Sequence, residues 1–152
     1  MKITKWFKKE NIIENIAAKS KPEVIAELSR ICVRNGNINP DRMVQALLER
    51  EKLGSTGIGD GIAIPHGKLA GLDEILISFG ISRSGVDFEA MDGKPVYMFF
   101  LLIAPEYSTG QHLKVLAKIS RMLKDENFRH RLMEASGREE IYRIITEKDD
   151  AS

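Results

Sequence analysis

The sequence predicts one α/β domain. Three observations carry this: a length of 152 residues, a nine-residue apolar run from Val96 to Ala104 bounded by Pro95 and Pro105, and amphipathic helical patterns on both sides of that run. At roughly 100 to 200 residues per domain there is room for one unit spanning 1–152. A chain of this size buries about 68 to 70% of its unfolded surface, enough for a core that needs neither disulfides nor a structural metal.

The elements follow in order. Ser20-Lys21-Pro22-Glu23 has capping-box spacing, and Val24, Ile25, Leu28 and Ile31 recur at helical intervals until Asn35-Gly36 stops the pattern. Asn39-Pro40-Asp41 starts a second helix, whose face Met43, Val44, Leu47 and Leu48 leads past Arg50 to an end near Leu53-Gly54. Five glycines between 54 and 67 then surround Ile62-Ala63-Ile64, which reads as a loop, a short strand, and a loop carrying His66. Ile75 to Ile81 is β-rich, and Ser82 to Gly85 and Met91-Asp92-Gly93 read as turns. Val96 to Ala104 has the length and flanks of a strand buried on both faces, the centre of the sheet. Leu113, Leu116, Ile119 and Leu123 mark another helix and Phe128 to Ala135 a short one. Ser136-Gly137-Arg138-Glu139 caps a last helix that buries Ile141, Ile144 and Ile145, and 147–152 is expected to fray.

Composition excludes several classes. With 23 Lys plus Arg against 22 Asp plus Glu the formal charge is +1, so nothing points to a nucleic-acid partner. The nine-residue apolar run falls far short of the ~20 residues that cross a bilayer, so no membrane insertion is expected. Lys8, Lys9 and Glu10 interrupt any signal-peptide core, and the single thiol, Cys32, suits a reducing compartment; a cytoplasmic location is expected. Nucleotide-cradling, dinucleotide-binding, serine-hydrolase and zinc-protease motifs are all missing: Gly61 and Gly67 are separated by five residues, and Leu69 follows Lys68.

Among three histidines, His66 stands out between Pro65 and Gly67 at the end of a short strand. A neutral imidazole keeps an unprotonated nitrogen at pH 7, so it can attack phosphorus without a separate base and hand the group onward. Position alone also allows a plain loop histidine that caps a backbone carbonyl. His112, just before Leu113, reads by position as an exposed residue at a helix start. Arg50 reads as a solvated charge at a helix end and Thr56 as a loop threonine satisfying its own turn. His130, within Asn127-Phe128-Arg129-His130-Arg131, reads as a surface residue.

Glu51, then Ile58-Gly59, then Ile62-Ala63-Ile64-Pro65-His66-Gly67 resembles the phosphohistidine signature of the fructose/mannitol-type enzyme IIA domains of the bacterial phosphotransferase system. The segment from Leu48-Glu49-Arg50-Glu51 to Gly57 is most similar to the nitrogen-regulatory branch, and the resemblance covers nearly the whole chain. It implies a mixed β-sheet flanked by helices on both faces. It also implies that His66 accepts a phosphoryl group from a histidine-containing phosphocarrier protein, itself charged by enzyme I from phosphoenolpyruvate. His112, 46 positions beyond His66, matches a second family histidine and would hydrogen-bond the phosphoryl oxygens. Arg50 matches a family position and offers a planar fork of donors to the same group, and Thr56 could add a hydroxyl hydrogen bond. No cofactor or metal is implied.

The function expected is that of a phosphocarrier whose phosphorylation state signals to targets such as potassium-transport or sensor-kinase systems. One alternative is a sugar-specific enzyme IIA passing phosphate to a cysteine of an enzyme IIB; no fused IIB or membrane segment is expected here, which weighs against it. Another class altogether would be a metal-dependent hydrolase using His66, His112 and Asp60.

Overall fold

The computed structural model describes residues 1–33 and 38–152. After a single 3-10 turn at Ile3–Lys5 the order is β1 (Phe7–Ile13), α1 (Lys21–Cys32), α2 (Pro40–Glu51), β2 (Gly57–Gly59), β3 (Ile62–Ala63), β4 (His66–Leu69), β5 (Leu76–Val86), β6 (Val96–Pro105), α3 (Thr109–Lys124), α4 (Glu126–Glu134) and α5 (Gly137–Ala151). The described strands form one mixed sheet in the order β1-β5-β6-β3-β2, with β4 also on β6. β6 runs antiparallel to β5 and parallel to both β3 and β4, which follow one another along its other edge: Ile62 lies opposite Met98, and His66 opposite Leu102.

β6 is the centre because its residues are apolar on both sides, and only Tyr97 is not fully buried. Successive side chains of a strand point to opposite faces. Phe99, Leu101 and Ile103 accordingly join Val24, Ile25, Leu28, Met43 and Leu47 of α1 and α2 in one core. Phe100 and Leu102 join Val115, Ile119, Leu132, Ile141 and Ile145 of α3, α4 and α5 in the other. Helices thus cover both faces, as the resemblance implied.

The helix starts obey local rules. The Ser20 hydroxyl accepts from Glu23 N–H at 3.4 Å, and Asn39 Oδ1 accepts from Asp41 N–H at 2.9 Å with Pro40 opening α2. The expected stop at Asn35-Gly36 lies outside the described residues.

Several expectations are corrected. β1 forms where the pattern marked no element, because a register shift between Phe7 and Ile12 breaks the alternation while burying both. The turn expected at Ser82 to Gly85 lies within β5, which runs on to Val86 through its own register shift. Leu113 is exposed, and α3 buries Val115, Ile119, Met122 and Leu123 instead. Ser136 does not cap α5 with its side chain; its N–H donates to Glu140 Oε2 at 2.9 Å. The tail from 147 does not fray: α5 continues to Ala151, because the buried Asp149 carboxylate accepts from Ile3 N–H at 3.1 Å and Thr4 N–H at 3.2 Å and pairs with Lys118 at 2.6 Å.

Candidate functional site

The glycine-rich segment is built as a tight hairpin followed by a strand. Asp60 and Gly61 have φ of 57° and 76°, the left-handed pair that a two-residue type I′ turn demands, and they join β2 to β3 antiparallel. Beyond Ile64-Pro65 the chain re-enters the sheet, so His66 opens β4 instead of sitting in a loop. Leu102 N–H donates to Pro65 O at 2.9 Å, which pins the histidine's backbone to the central strand.

The half-buried His66 ring donates from Nδ1 to Ile64 O at 2.8 Å. A carbonyl can only accept, so the proton sits on Nδ1 and the Nε2 lone pair is left free. Capping a backbone carbonyl and leaving Nε2 free to attack are therefore compatible in one geometry. Burial is the main cause holding the ring's pKa below its ordinary 6.5, with Arg50 lowering it further and Ile64 O and Glu51 opposing. His66 is neutral at pH 7.

His112 lies in the first turn of α3, where its N–H donates to Ser108 O at 2.9 Å. Far from exposed, it is 5% accessible, and its ring meets that of His66 edge-on with centroids 5.7 Å apart. Its Nδ1 is buried without a hydrogen-bond partner among the described residues, while the ring also lines the cleft. Burial first, then the nearby His66 and Lys68, push its pKa down to about 4.

Both rings open into a cleft of about 540 Å³ that Arg50, Lys68, Leu53 and Leu113 also line. Arg50 donates from Nη1 to Gly54 O at 2.8 Å at the end of α2, and a guanidinium has four further N–H donors to offer. Lys68, which motif reading passed over, donates to Thr109 Oγ1 at 2.7 Å and adds a second cation two residues from His66. Its place in β4 was the available signal, since residues two apart on a strand share a face.

Thr56 departs from expectation. Its hydroxyl donates to Glu51 Oε2 and its N–H donates to Glu51 Oε1 at 3.2 Å, with the residue 3% exposed, so its one hydroxyl hydrogen is committed inward. Asp60 does not join the two histidines either; it lines a separate cleft with Tyr97, Arg129 and His130. Among the described residues no group of three or more His, Cys, Asp or Glu side chains is placed to hold a metal, so the trio of the hydrolase alternative is not assembled. His130 is exposed and pairs with Glu134 on α4. Among the described residues no helix is long and apolar enough to cross a membrane.

Known proteins resemble the chain over nearly its whole length. The nitrogen regulatory protein of Bradyrhizobium diazoefficiens is 39% identical over 145 residues, 95% of each chain. The fructose-specific EIIABC component of Bacillus subtilis is 41% identical over 98% of this chain, which spans only 24% of that relative. The crystal structure of nitrogen regulatory protein IIA-Ntr from Neisseria meningitidis superimposes with a TM-score of 0.89 at 37% identity, covering 95% of this chain and 99% of that one. The stretch that carries every side chain of the cleft lies inside residues 5–148, which match the phosphoenolpyruvate-dependent sugar phosphotransferase system EIIA 2 model, and the chain belongs to that family.

Proposed function

We propose that this chain is a phosphocarrier that accepts a phosphoryl group on Nε2 of His66 from a histidine-containing phosphocarrier protein, and that its phosphorylation state regulates partner proteins. The observation carrying the reading is the Nδ1–H to Ile64 O hydrogen bond in a cleft shared with His112 and Arg50. In the transfer, the Nε2 lone pair forms a new N–P bond while the donor's N–P bond breaks and its electron pair returns to the donor ring. The Nδ1 proton stays in place, and Ile64 O stabilises the positive charge that the ring acquires. His112 donates from Nε2 and Arg50 from its remaining N–H groups to the phosphoryl oxygens. At about 4 Å each unit-charge pair contributes roughly 4 kcal/mol at an effective dielectric of 20, so Arg50 holds the group without trapping it.

The match across 95% of a nitrogen regulatory protein supports the regulatory branch, with potassium-transport or sensor-kinase systems as candidate targets in the cytoplasm. The 41% identity to a fructose-specific EIIABC component favours a second reading, onward transfer to a cysteine of an enzyme IIB. The test is incubation with phosphoenolpyruvate, enzyme I and a phosphocarrier. One acid-labile, base-stable phosphoryl group on His66 is expected, lost in His66→Ala; a label on His112 or His130 of the unmutated protein overturns the assignment. Discharge by an added fructose-type IIB domain would establish the second reading, and retention would exclude that IIB as acceptor.

A further inference from the structure

Beneath the cleft lies a charged cluster that contributes nothing to its lining. Glu51 ends α2 with only 8% exposure, and its carboxylate takes both donors of Thr56. Lys21, in the first turn of α1, completes the cluster with Nζ 2.8 Å from Glu51 Oε1, 3.6 Å from Glu89 Oε1 and 4.9 Å above the Phe88 ring. Desolvating such a pair is costly before attraction offsets it, and a hydrophobic pair of like volume would serve stability as well. The cluster therefore calls for a reason other than stability.

Following the hydrogen bonds outward supplies one. Thr56, clamped by Glu51 at N–H and hydroxyl, offers its carbonyl to Ile64 N–H at 3.1 Å. Ile64 in turn offers its carbonyl to His66 Nδ1 at 2.8 Å. The same turn of chain sets Arg50, whose Nη1 reaches Gly54 O at 2.8 Å while Gly54 N–H donates to Glu51 O at 3.1 Å. The His66 ring thus hangs from the buried Glu51 carboxylate through Thr56, while Arg50 is tied to the same residue through its main-chain carbonyl. A neutral imidazole in water samples both tautomers, and only the Nδ1–H form leaves Nε2 able to attack.

The geometry points to Glu51 as a positioning residue: its Lys21-held carboxylate, acting through Thr56 and the Ile64 carbonyl, sets the tautomer and orientation of His66. This rests on His66 being the phosphoryl acceptor. Thr56 serves this chain of contacts through its two hydrogen bonds to Glu51.

The test combines nitrogen-15 NMR of the histidine rings with transfer kinetics from a phosphorylated histidine phosphocarrier, in the unmutated protein, Glu51→Gln and Thr56→Val. Unmutated protein is expected to show His66 fixed as Nδ1–H. In Glu51→Gln the His66 nitrogen signals move toward tautomer averaging. Its transfer rate falls by on the order of tenfold, toward the ~100-fold that an ångström of misplacement costs. KM for the carrier stays within about twofold, since Glu51 is buried away from the cleft that a carrier contacts. Thr56→Val, which removes one hydroxyl and keeps the N–H clamp, shifts both readouts the same way by less and serves if Glu51→Gln does not fold. Folded variants with unchanged His66 nitrogen shifts and rates overturn the inference even where His66 is the acceptor. A label found elsewhere in the unmutated protein overturns the function instead, and the tautomer readout still judges the positioning.

Discussion

Acid is the perturbation that reads the site in stability. His112 is 5% exposed, and its Nδ1 is buried without a hydrogen-bond partner among the described residues. Burial, His66 and Lys68 together bring its pKa from 6.5 to about 4. Above the unfolded value the ring is neutral in both states and contributes no pH dependence. Below it the unfolded chain takes a proton that the folded chain refuses until about pH 4, so stability falls as pH falls through that window. The gap of about 2.5 pH units, at 1.36 kcal/mol each, caps the loss at roughly 3 kcal/mol, of which about 2 kcal/mol is reached by pH 5. The assay is urea unfolding from about pH 7 to pH 4.5 for unmutated protein and His112→Gln. His66 is shifted in the same direction and stays in both proteins, so the quantity read is the difference between the two curves. The unmutated protein is expected to lose about 2 kcal/mol more than the variant between pH 7 and pH 5. Parallel curves would refute the reasoning, as would an NMR titration placing His112 near its ordinary value.

Two further outcomes are expected. Asp149→Ala leaves the Lys118 ammonium, 3% exposed, with two main-chain carbonyls but no counter-charge, beside two N–H groups of the N-terminal turn that lose their acceptor, and costs about 3 kcal/mol in urea unfolding; a loss under ~1 kcal/mol would mean that the clamp is open in solution. Phosphorylation of His66 places roughly 1.5 to 2 negative charges in the cleft. The His112 pKa then rises above about 4 and amide NMR shifts stay near 57–68, Arg50 and His112; shifts through the core helices would point to a global rearrangement.

How much could be read without coordinates follows from how local each determinant is. The α1 and α2 starts were legible because Ser20 and Asn39 act on N–H groups two or three residues away. β6 was legible because a strand buried on both faces leaves an unbroken apolar run. β1 was not: its partner is β5, with Phe7 opposite Ile77, and the bulge hides the period that would have betrayed it. The β2–β3 hairpin was marked by Asp60-Gly61, a turn signal masked by the surrounding glycines. At the site, His66, His112 and Arg50 were legible as residue types matched to a motif. The burial of His112 and the inward commitment of Thr56 were not, because each depends on what packs across from it: the His66 ring in one case and the Glu51 carboxylate in the other.

The convergence of the site comes from β6 and from what packs at its C-terminal end. His66 pairs with Leu102, and three residues later β6 ends at Pro105, whose carbonyl accepts from Ser108 N–H at 3.1 Å to start α3 and its His112. On the other side α2 lies on β4 so closely that a Cβ on Gly67 would stand 3.7 Å from Ala46 O, which carries the Arg50 end of the helix over the cleft. Two segments distant in sequence therefore meet at β6 directly and the third reaches it through β4, with an apolar core on each face of the sheet. If His66 is the phosphoryl acceptor, a nucleophile built on the sheet beside His112 is held in place before its donor arrives, which lowers the reorganisation that transfer requires. Exposed Leu53 and Leu113 rim the cleft and give it an apolar edge. On the proposed reading this division puts the chemistry on the sheet and leaves partner choice to the rim and to the charge that a phosphorylated His66 would carry.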